Sequence, residues 1–249
     1  MAALESHVEL SHVTMAFGSR PVFRDLSCRF PKGRVTCILG GSGSGKSTAL
    51  KLIGGLIRPQ AGRVVVDGDD VTTLSERDLF RVRRKLGMMF QGGALLDSMT
   101  VFDNLALPLR ERGEPEARIA DEVHDRLAAV GLDDVDALLP GQLSGGMVKR
   151  VALARAIIQR PTILLVDEPF SGLDPLSTRR IEGVLLEVNR KFGMTMLVVS
   201  HDVPSTMRMA DWMVLLLPER AVEGEPRALA TGPDRDAVEF LTAGEGTAA

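Results

Sequence analysis

Tyrosine is absent from this chain of 249 residues, tryptophan occurs once and cysteine twice. Cys28 and Cys37 both lie in apolar, strand-like segments. That favours buried reduced thiols over a disulfide or a metal site. Long hydrophobic runs are missing as well. The longest, Ile163–Val166 and Trp212–Leu217, have the length of strands, far short of the roughly 18–20 residues a membrane-spanning helix needs. Met1–Leu10 carries Glu and His and has no apolar core of the signal-peptide type. The chain is therefore expected to be cytoplasmic, with any role at a membrane reached through another protein. Neither sign of charge dominates: 30 Lys and Arg stand against 33 Asp and Glu, a net charge of −3, which is no footprint for nucleic acid. The basic group Arg81, Arg83, Arg84 and Lys85 has no aromatic stacking platform beside it and reads as a solvated helix face. There is no internal repeat and no low-complexity tract.

What is present, 45% hydrophobic and 25% charged residues, is the balance of an ordinary globular protein long enough for one large α/β domain or two small ones. Its most informative stretch is Gly40-Gly41-Ser42-Gly43-Ser44-Gly45-Lys46-Ser47-Thr48. An apolar strand, Val35–Leu39, precedes it, and a helix is expected over Ser47–Leu56. Strand, glycine-rich loop and helix in that order make a phosphate cradle. The glycines let the loop wrap so that successive N–H groups face anionic oxygens, and the helix N-terminus adds partial positive charge there. Lys46 can reach β- and γ-phosphates, and the Ser47 hydroxyl can ligate Mg²⁺. A plain Gly/Ser turn before a helix fits the flanks less well.

Strands are also expected at Val8–Met15 and Val22–Phe30, around a turn at residues 17–21, and at Arg63–Val66 and Leu86–Phe90. From Gly92 to about Arg160 the pattern turns helical. Thr100 with Asp103 resembles a capping box before Leu105–Leu109. Ile119, Val123, Leu127 and Val130 recur at helical spacing up to a stop at Gly131, and Met147–Arg160 is a further helix ended by Pro161. Beyond it the pattern predicts the strand Thr162–Val166, a helix over Leu176–Phe192, the strand Met194–Val199, a short helix after His201 and the strand Met213–Leu217. This alternation argues for a mainly parallel sheet covered on both faces. The tail Gly244–Ala249 is expected to fray.

The strand before Asp167-Glu168 would deliver both carboxylates to the ligand crevice. Asp167 can hold Mg²⁺ through water, and Glu168, pointing elsewhere, can polarise an attacking water. Alone, the pair reads equally as a solvated strand end. Ser144, Gly145 and Gly146 open the Met147 helix as a second anion clamp, although in isolation they read as a helix cap. One nucleotide does not need two such clamps from one chain. A head-to-tail dimer, each clamp closing on the γ-phosphate held by the other copy, accounts for both. His7, His12 and His124 have no comparable context.

Together these motifs resemble the nucleotide-binding subunits of the ABC transporter family, over nearly the whole chain. The resemblance implies an α/β P-loop NTPase of ABC type: a mainly parallel sheet core with an antiparallel β subdomain and an inserted helical subdomain. It implies a single ATP-binding domain over residues 1–249, with 1–91 and 161–249 as core and β subdomain and 92–160 as the helical signature subdomain. ATP and Mg²⁺ are the implied ligands. Gln91 matches the glutamine that senses Mg²⁺ and water, and Leu143–Gly146 the family signature. Asp174, in Ser171-Gly172-Leu173-Asp174, matches the loop that crosses the dimer interface. His201 matches the switch histidine at the γ-phosphate. Phe17 falls where an aromatic ring stacks on adenine, a place where tyrosine is commoner, and it reads equally as a core residue. Met147 replaces the usual glutamine and Gly41 a common proline; neither removes a phosphate ligand.

Leu-Ser-Gly-Gly-Met at 143–147, Phe90–Leu96 and Thr100–Glu111 look like the ATPase of Mla-type, MCE-associated phospholipid transporters, as do Asp167–Phe170 and Ser200–Pro204. That resemblance implies phospholipid transport that maintains outer-membrane lipid asymmetry. The implied partners are a permease dimer, an MCE-domain protein and a small STAS-domain regulator, at the cytoplasmic face of the inner membrane. Ala94, Leu95, Leu96, Met99 and Val101 follow Gln91, where the family receives a coupling helix; they read equally as docking face or core. An ATPase for amino acids or lipoproteins shares the core motifs. A chromosome or translation ATPase would need long coiled coils or a second cassette, and neither is present.

Overall fold

β-Branched and aliphatic residues alternate with polar ones along β1 (Ser6–Phe17) and β2 (Arg20–Pro31), and the two pair antiparallel about a turn of only Gly18 and Ser19. The expected five-residue turn is shorter because Phe17 and Arg20 are themselves paired. β4 (Ala61–Val66) and the two-residue β5 (Asp69–Asp70) complete an antiparallel sheet in the order β2-β1-β4-β5. The structure, a computed structural model, describes residues 5–218 and 220–243. The tail expected to fray lies outside them.

The second sheet collects β3 (Val35–Gly40), β6 (Leu86–Met89), β7 (Ile163–Asp167), β8 (Thr195–Val199), β9 (Trp212–Leu217) and β10 (Arg220–Gly224) in the order β10-β9-β3-β8-β7-β6. All neighbours are parallel except β10, which runs antiparallel to β9. The central strands are buried along their length and largely apolar, with Thr36 and Thr195 as buried polar exceptions, because both faces are covered. Their two-residue period sorts side chains between two cores. Leu164, Val166, Met196 and Val198 face a helical layer. Ile163, Leu165, Leu197 and Val199 face the antiparallel sheet and α1 (Lys46–Ile53).

The helical layer is α3 (Val101–Arg110), α4 (Glu116–Ala129) and α5 (Gly145–Ile157), inserted between β6 and β7, together with α6 (Pro175–Phe192). Thr100 caps α3 as expected, its Oγ1 accepting from the Asp103 N–H at 3.1 Å. Between Gly92 and Thr100 the chain is an irregular loop rather than helix. Buried Asn104 holds it, donating to the carbonyls of Leu96, Met99 and Thr100 at 3.0–3.1 Å and accepting from Leu96 N–H at 2.8 Å. Other boundaries shift for local reasons. α1 stops at Ile53 because Gly54 caps it and Gly55 follows at φ +62°, leaving Leu56 outside and exposed. α5 starts at Gly145 and ends at Ile157, ahead of Arg160 at φ +54°. The basic group is not one solvated helix face: Arg81 and Arg83 end α2 (Glu76–Arg83), Arg84 caps it, Arg83 donates to Gly55 O, and Lys85 beyond the helix pairs with Asp67 and Asp69. α7 (Val203–Met209) follows His201, and α8 (Pro226–Thr231) and α9 (Arg235–Ala243) close the described chain. No helix of the described residues is long and apolar enough to cross a membrane.

Candidate active site

Parallel strands direct their carboxyl ends to one edge of the sheet. β3, β8, β7 and β6 are consecutive neighbours there, so the loops that follow them bring residues 40–48, His201, Asp167-Glu168 and Gln91 to the same edge.

The first of these loops leaves β3 at Gly40, φ +157°, where an added Cβ would lie 2.5 Å from the Ser44 hydroxyl. It enters α1 through Gly45, which caps the helix in the left-handed conformation without any side-chain hydrogen bond. Gly41, Ser42 and Gly43 form the exposed crest of the loop, and Thr48 lies within α1. No acidic residue occupies the first turn of α1, so its N-terminal N–H groups have no carboxylate to bind. Lys46 Nζ lies across the loop, donating to the carbonyls of Gly40 at 2.8 Å and Gly41 at 3.1 Å. The buried Ser44 Oγ has no hydrogen-bond partner. Uncapped N–H groups, an ammonium and an unpartnered hydroxyl suit a polyphosphate.

Asp167 ends β7, and Ser47 Oγ donates to its Oδ1 at 3.1 Å. Burial pushes the Asp167 carboxyl above its usual range, opposed by the Ser47 bond and by the charges of Lys51, Lys46 and Lys149. Among the described residues no group of three or more His, Cys, Asp or Glu side chains could hold a metal. A divalent ion at Ser47 and Asp167 would therefore complete its shell with phosphate oxygens and water, the habit of Mg²⁺. The donor set fits.

Glu168 turns the other way. Its backbone adopts φ +46°, rare for a residue with a side chain, and its N–H donates to Val199 O at 2.9 Å. Its Oε2 lies 2.8 Å from His201 Nδ1; the Glu168 side chain is 12% exposed and the His201 ring 70%. A shielded carboxylate thus rests against a histidine open to solvent.

The remaining residues are placed less uniformly. Gln91 Nε2 donates to Ser171 Oγ at 3.1 Å rather than to Ser47 or Asp167. Phe17 is 52% exposed at the hairpin, so it is no core residue. Ser144 caps α5, accepting from Met147 N–H at 3.3 Å, and Gly145 and Gly146 form its first turn. Asp174 caps α6, accepting from the N–H groups of Leu176 and Ser177 at 2.9 and 3.0 Å. The Ser177 hydroxyl bond, first among several, lowers its pKa. Of the five apolar residues after Gln91, Val101 is core and Leu95 packs against it, whereas Ala94 and Leu96 are exposed.

Two residues escaped the sequence reading. Arg20, paired with Phe17, brings Nη2 to 3.0 Å from where a Cβ on Gly43 would sit. Lys149 of α5 is buried and donates to the carbonyls of Gln91, by a short bond, and Glu168, at 3.4 Å. The signal for Lys149 was a charge on the helix face shared with Gly145, Gly146, Ala152 and Leu153, since a buried charge requires partners.

A family model described as ABC transporter matches residues 23–171. The chain is 41% identical over 236 residues to the intermembrane phospholipid transport system ATP-binding protein MlaF of Haemophilus influenzae, covering 94% of this chain and 89% of that one. It is 39% identical to the probable ribonucleotide transport ATP-binding protein mkl of Mycobacterium tuberculosis, over 94% of this chain and 66% of the other. Among solved structures, the ATP-binding cassette MJ0796, in a dimeric post-hydrolysis state bound to ADP and Pi, superposes with a TM-score of 0.79. The identity is 30%, with 88% of this chain and 99% of that one covered.

Proposed function

We propose, from the premise that this chain belongs to the ABC transporter ATPase family, that it hydrolyses ATP to drive phospholipid transport between bacterial envelope membranes. The observation that carries the site reading is the divergence of adjacent carboxylates: Asp167 to Ser47 at 3.1 Å and Glu168 to His201 at 2.8 Å. One carboxylate and a hydroxyl are placed for a metal, the other carboxylate for water.

In this reading the loop of residues 40–48 binds the phosphates, with Lys46 leaving its two carbonyls for β- and γ-oxygens. Phe17 stacks on the adenine. Ser47 and Asp167 hold Mg²⁺, joined by Gln91, which leaves Ser171. Bound there, Mg²⁺ neutralises charge that develops on the transferring phosphate. Glu168 orients the attacking water and takes up its proton, and His201 contacts the γ-phosphate. A second copy supplies Ser144, Gly145 and Gly146 as the opposing clamp, with Asp174 at the crossing. Closure of the pair excludes water and strengthens each electrostatic contact. The 92–160 segment, with Leu96, Leu107 and Pro108 along an open groove, receives the permease at the cytoplasmic face of the inner membrane. An MCE-domain protein and a STAS-domain regulator complete the assembly. The phospholipid assignment rests on the relative at 41% identity.

The test is to purify the tagged chain from its host's membranes in mild detergent, identify co-purifying proteins and lipids by mass spectrometry, and assay ATP turnover beside Glu168→Gln. A permease, an MCE-domain protein and phospholipid are expected, with turnover lost in the variant. A permease with a soluble substrate-binding protein would overturn the lipid assignment. Wild-type turnover in Glu168→Gln would overturn the role of that carboxylate.

A further inference from the structure

We infer that Lys149 is a positioning residue for hydrolysis: from the signature helix it ties together the backbone of the Gln91 loop and the backbone of Glu168. The inference rests on the site reading above and adds a residue to it.

Lys149 stands five residues after the Ser144 cap, about a turn and a half into α5. It is 7% exposed. An ammonium withdrawn from water is costly unless its hydrogens find strong acceptors. Among the described residues no carboxylate lies within ion-pair distance of it. Its acceptors are two main-chain carbonyls on different loops: Gln91, just beyond β6, and Glu168, just beyond β7. An apolar residue would pack at this position without that cost, beside buried Val151, Ala152 and Leu153. What the lysine adds is the junction of the two loops.

Glu168 is where such a junction matters. A left-handed backbone at a residue with a side chain persists only when its surroundings over-determine it. Here the N–H is held by Val199 O at 2.9 Å, and the carbonyl by Ser171 N–H at 3.3 Å and Lys149 Nζ at 3.4 Å. The first two restraints come from the core sheet and from the residue's own loop. Only Lys149 belongs to the helical layer, on the helix whose N-terminus carries Ser144, Gly145 and Gly146. The same ammonium holds the Gln91 carbonyl, whose side chain reaches Ser171 at 3.1 Å. A displacement of α5 is thereby passed to the loop of Gln91 and to the backbone of Glu168 through one ammonium.

The experiment measures kcat, KM for ATP and thermal midpoint for Lys149→Met, Lys149→Gln and Lys149→Arg in the complex purified from host membranes. Methionine keeps the length without donors. Glutamine is shorter and reaches one carbonyl, and arginine has donors for both. The expected order in kcat is Met below Gln below Arg. Methionine should lie roughly 10- to 100-fold below wild type, the range for partners that orient a site without touching the reactant. KM and melting should stay near wild type. Equal kcat in all three, or a rise in KM and a fall in melting in step with the loss of kcat, would overturn the inference. Should the methionine variant not fold, the ratio of glutamine to arginine decides by the same criterion. Glu168→Gln is assayed alongside. Its wild-type turnover would sink the site reading itself, whereas a dead Glu168→Gln beside a flat Lys149 series sinks only the role of Lys149.

Discussion

Replacing Gly45 with alanine perturbs the glycine-rich loop of residues 40–48 at its most constrained point. Gly45 sits at φ +95°, and a Cβ there would lie 2.6 Å from both Cε1 and Cζ of Phe23 and 2.6 Å from Cγ1 of Val22. These neighbours belong to β2, so relief requires either the antiparallel sheet or the loop to move. The left-handed backbone costs a residue with a side chain about 1–2 kcal/mol. Overpacking against well-fitted neighbours costs about 1–3 kcal/mol more. A loss of about 2–5 kcal/mol against the roughly 5–15 kcal/mol typical of a domain leaves the variant folded but marginal. Gly41→Ala is the matched control, since its Cβ meets nothing within 4 Å and should change stability by under about 0.5 kcal/mol. Urea unfolding followed by the fluorescence of Trp212, the single tryptophan, reads both. Gly45→Ala should also bind a fluorescent ATP analogue more weakly than wild type, because N–H groups of the loop are displaced. If both alanine variants unfold at the same urea concentration as wild type, neither the strained backbone nor the contact with Phe23 restrains the loop.

His7 is buried, its Nδ1 2.5 Å from Thr195 Oγ1 and its Nε2 3.3 Å from Asp67, and burial lowers its pKa from 6.5 despite Asp67. Above that pH both native and unfolded states hold the ring neutral. As pH falls through about 6.5 the unfolded chain takes up a proton that the native state refuses, so stability drops until the lower native pKa is reached. The stability advantage of wild type over His7→Asn should therefore shrink between pH 8 and pH 5; an advantage that grows would show that Asp67 outweighs burial. Burial pushes the Cys37 thiol up to about 12 and the Cys28 thiol higher still. Neither should react with a disulfide reagent at pH 8 until urea unfolds the chain, and fast labelling of the native protein would contradict the packing of β2 and β3.

The strand, loop and helix around residues 40–48 were legible in the sequence because the information is local: an apolar run, four glycines and Lys46-Ser47 at fixed spacing. Helix and strand types were legible wherever periodicity was long, as along Ile119–Val130. Boundaries slipped where glycine outweighed hydrophobicity, as at Gly54-Gly55. β10 escaped because Arg220–Gly224 shows no apolar alternation of its own; it is a strand through its register with β9, Ala221 opposite Leu216 and Val222 opposite Leu215.

Residue spacing could nominate Ser47, Asp167, Glu168 and His201. It could not say which would meet which. Asp167 reaches Ser47 across 120 positions and His201 reaches Glu168 across 33, because the sheet order β3-β8-β7 puts the three strand ends side by side. Gln91 facing Ser171, Asn104 holding the loop before α3, and Lys149 joining two carbonyls are likewise products of packing. A motif is written in consecutive residues and survives as spacing. The partners of a buried polar group are chosen only when distant segments exclude water together, because only then does an unmade hydrogen bond become costly enough to select them.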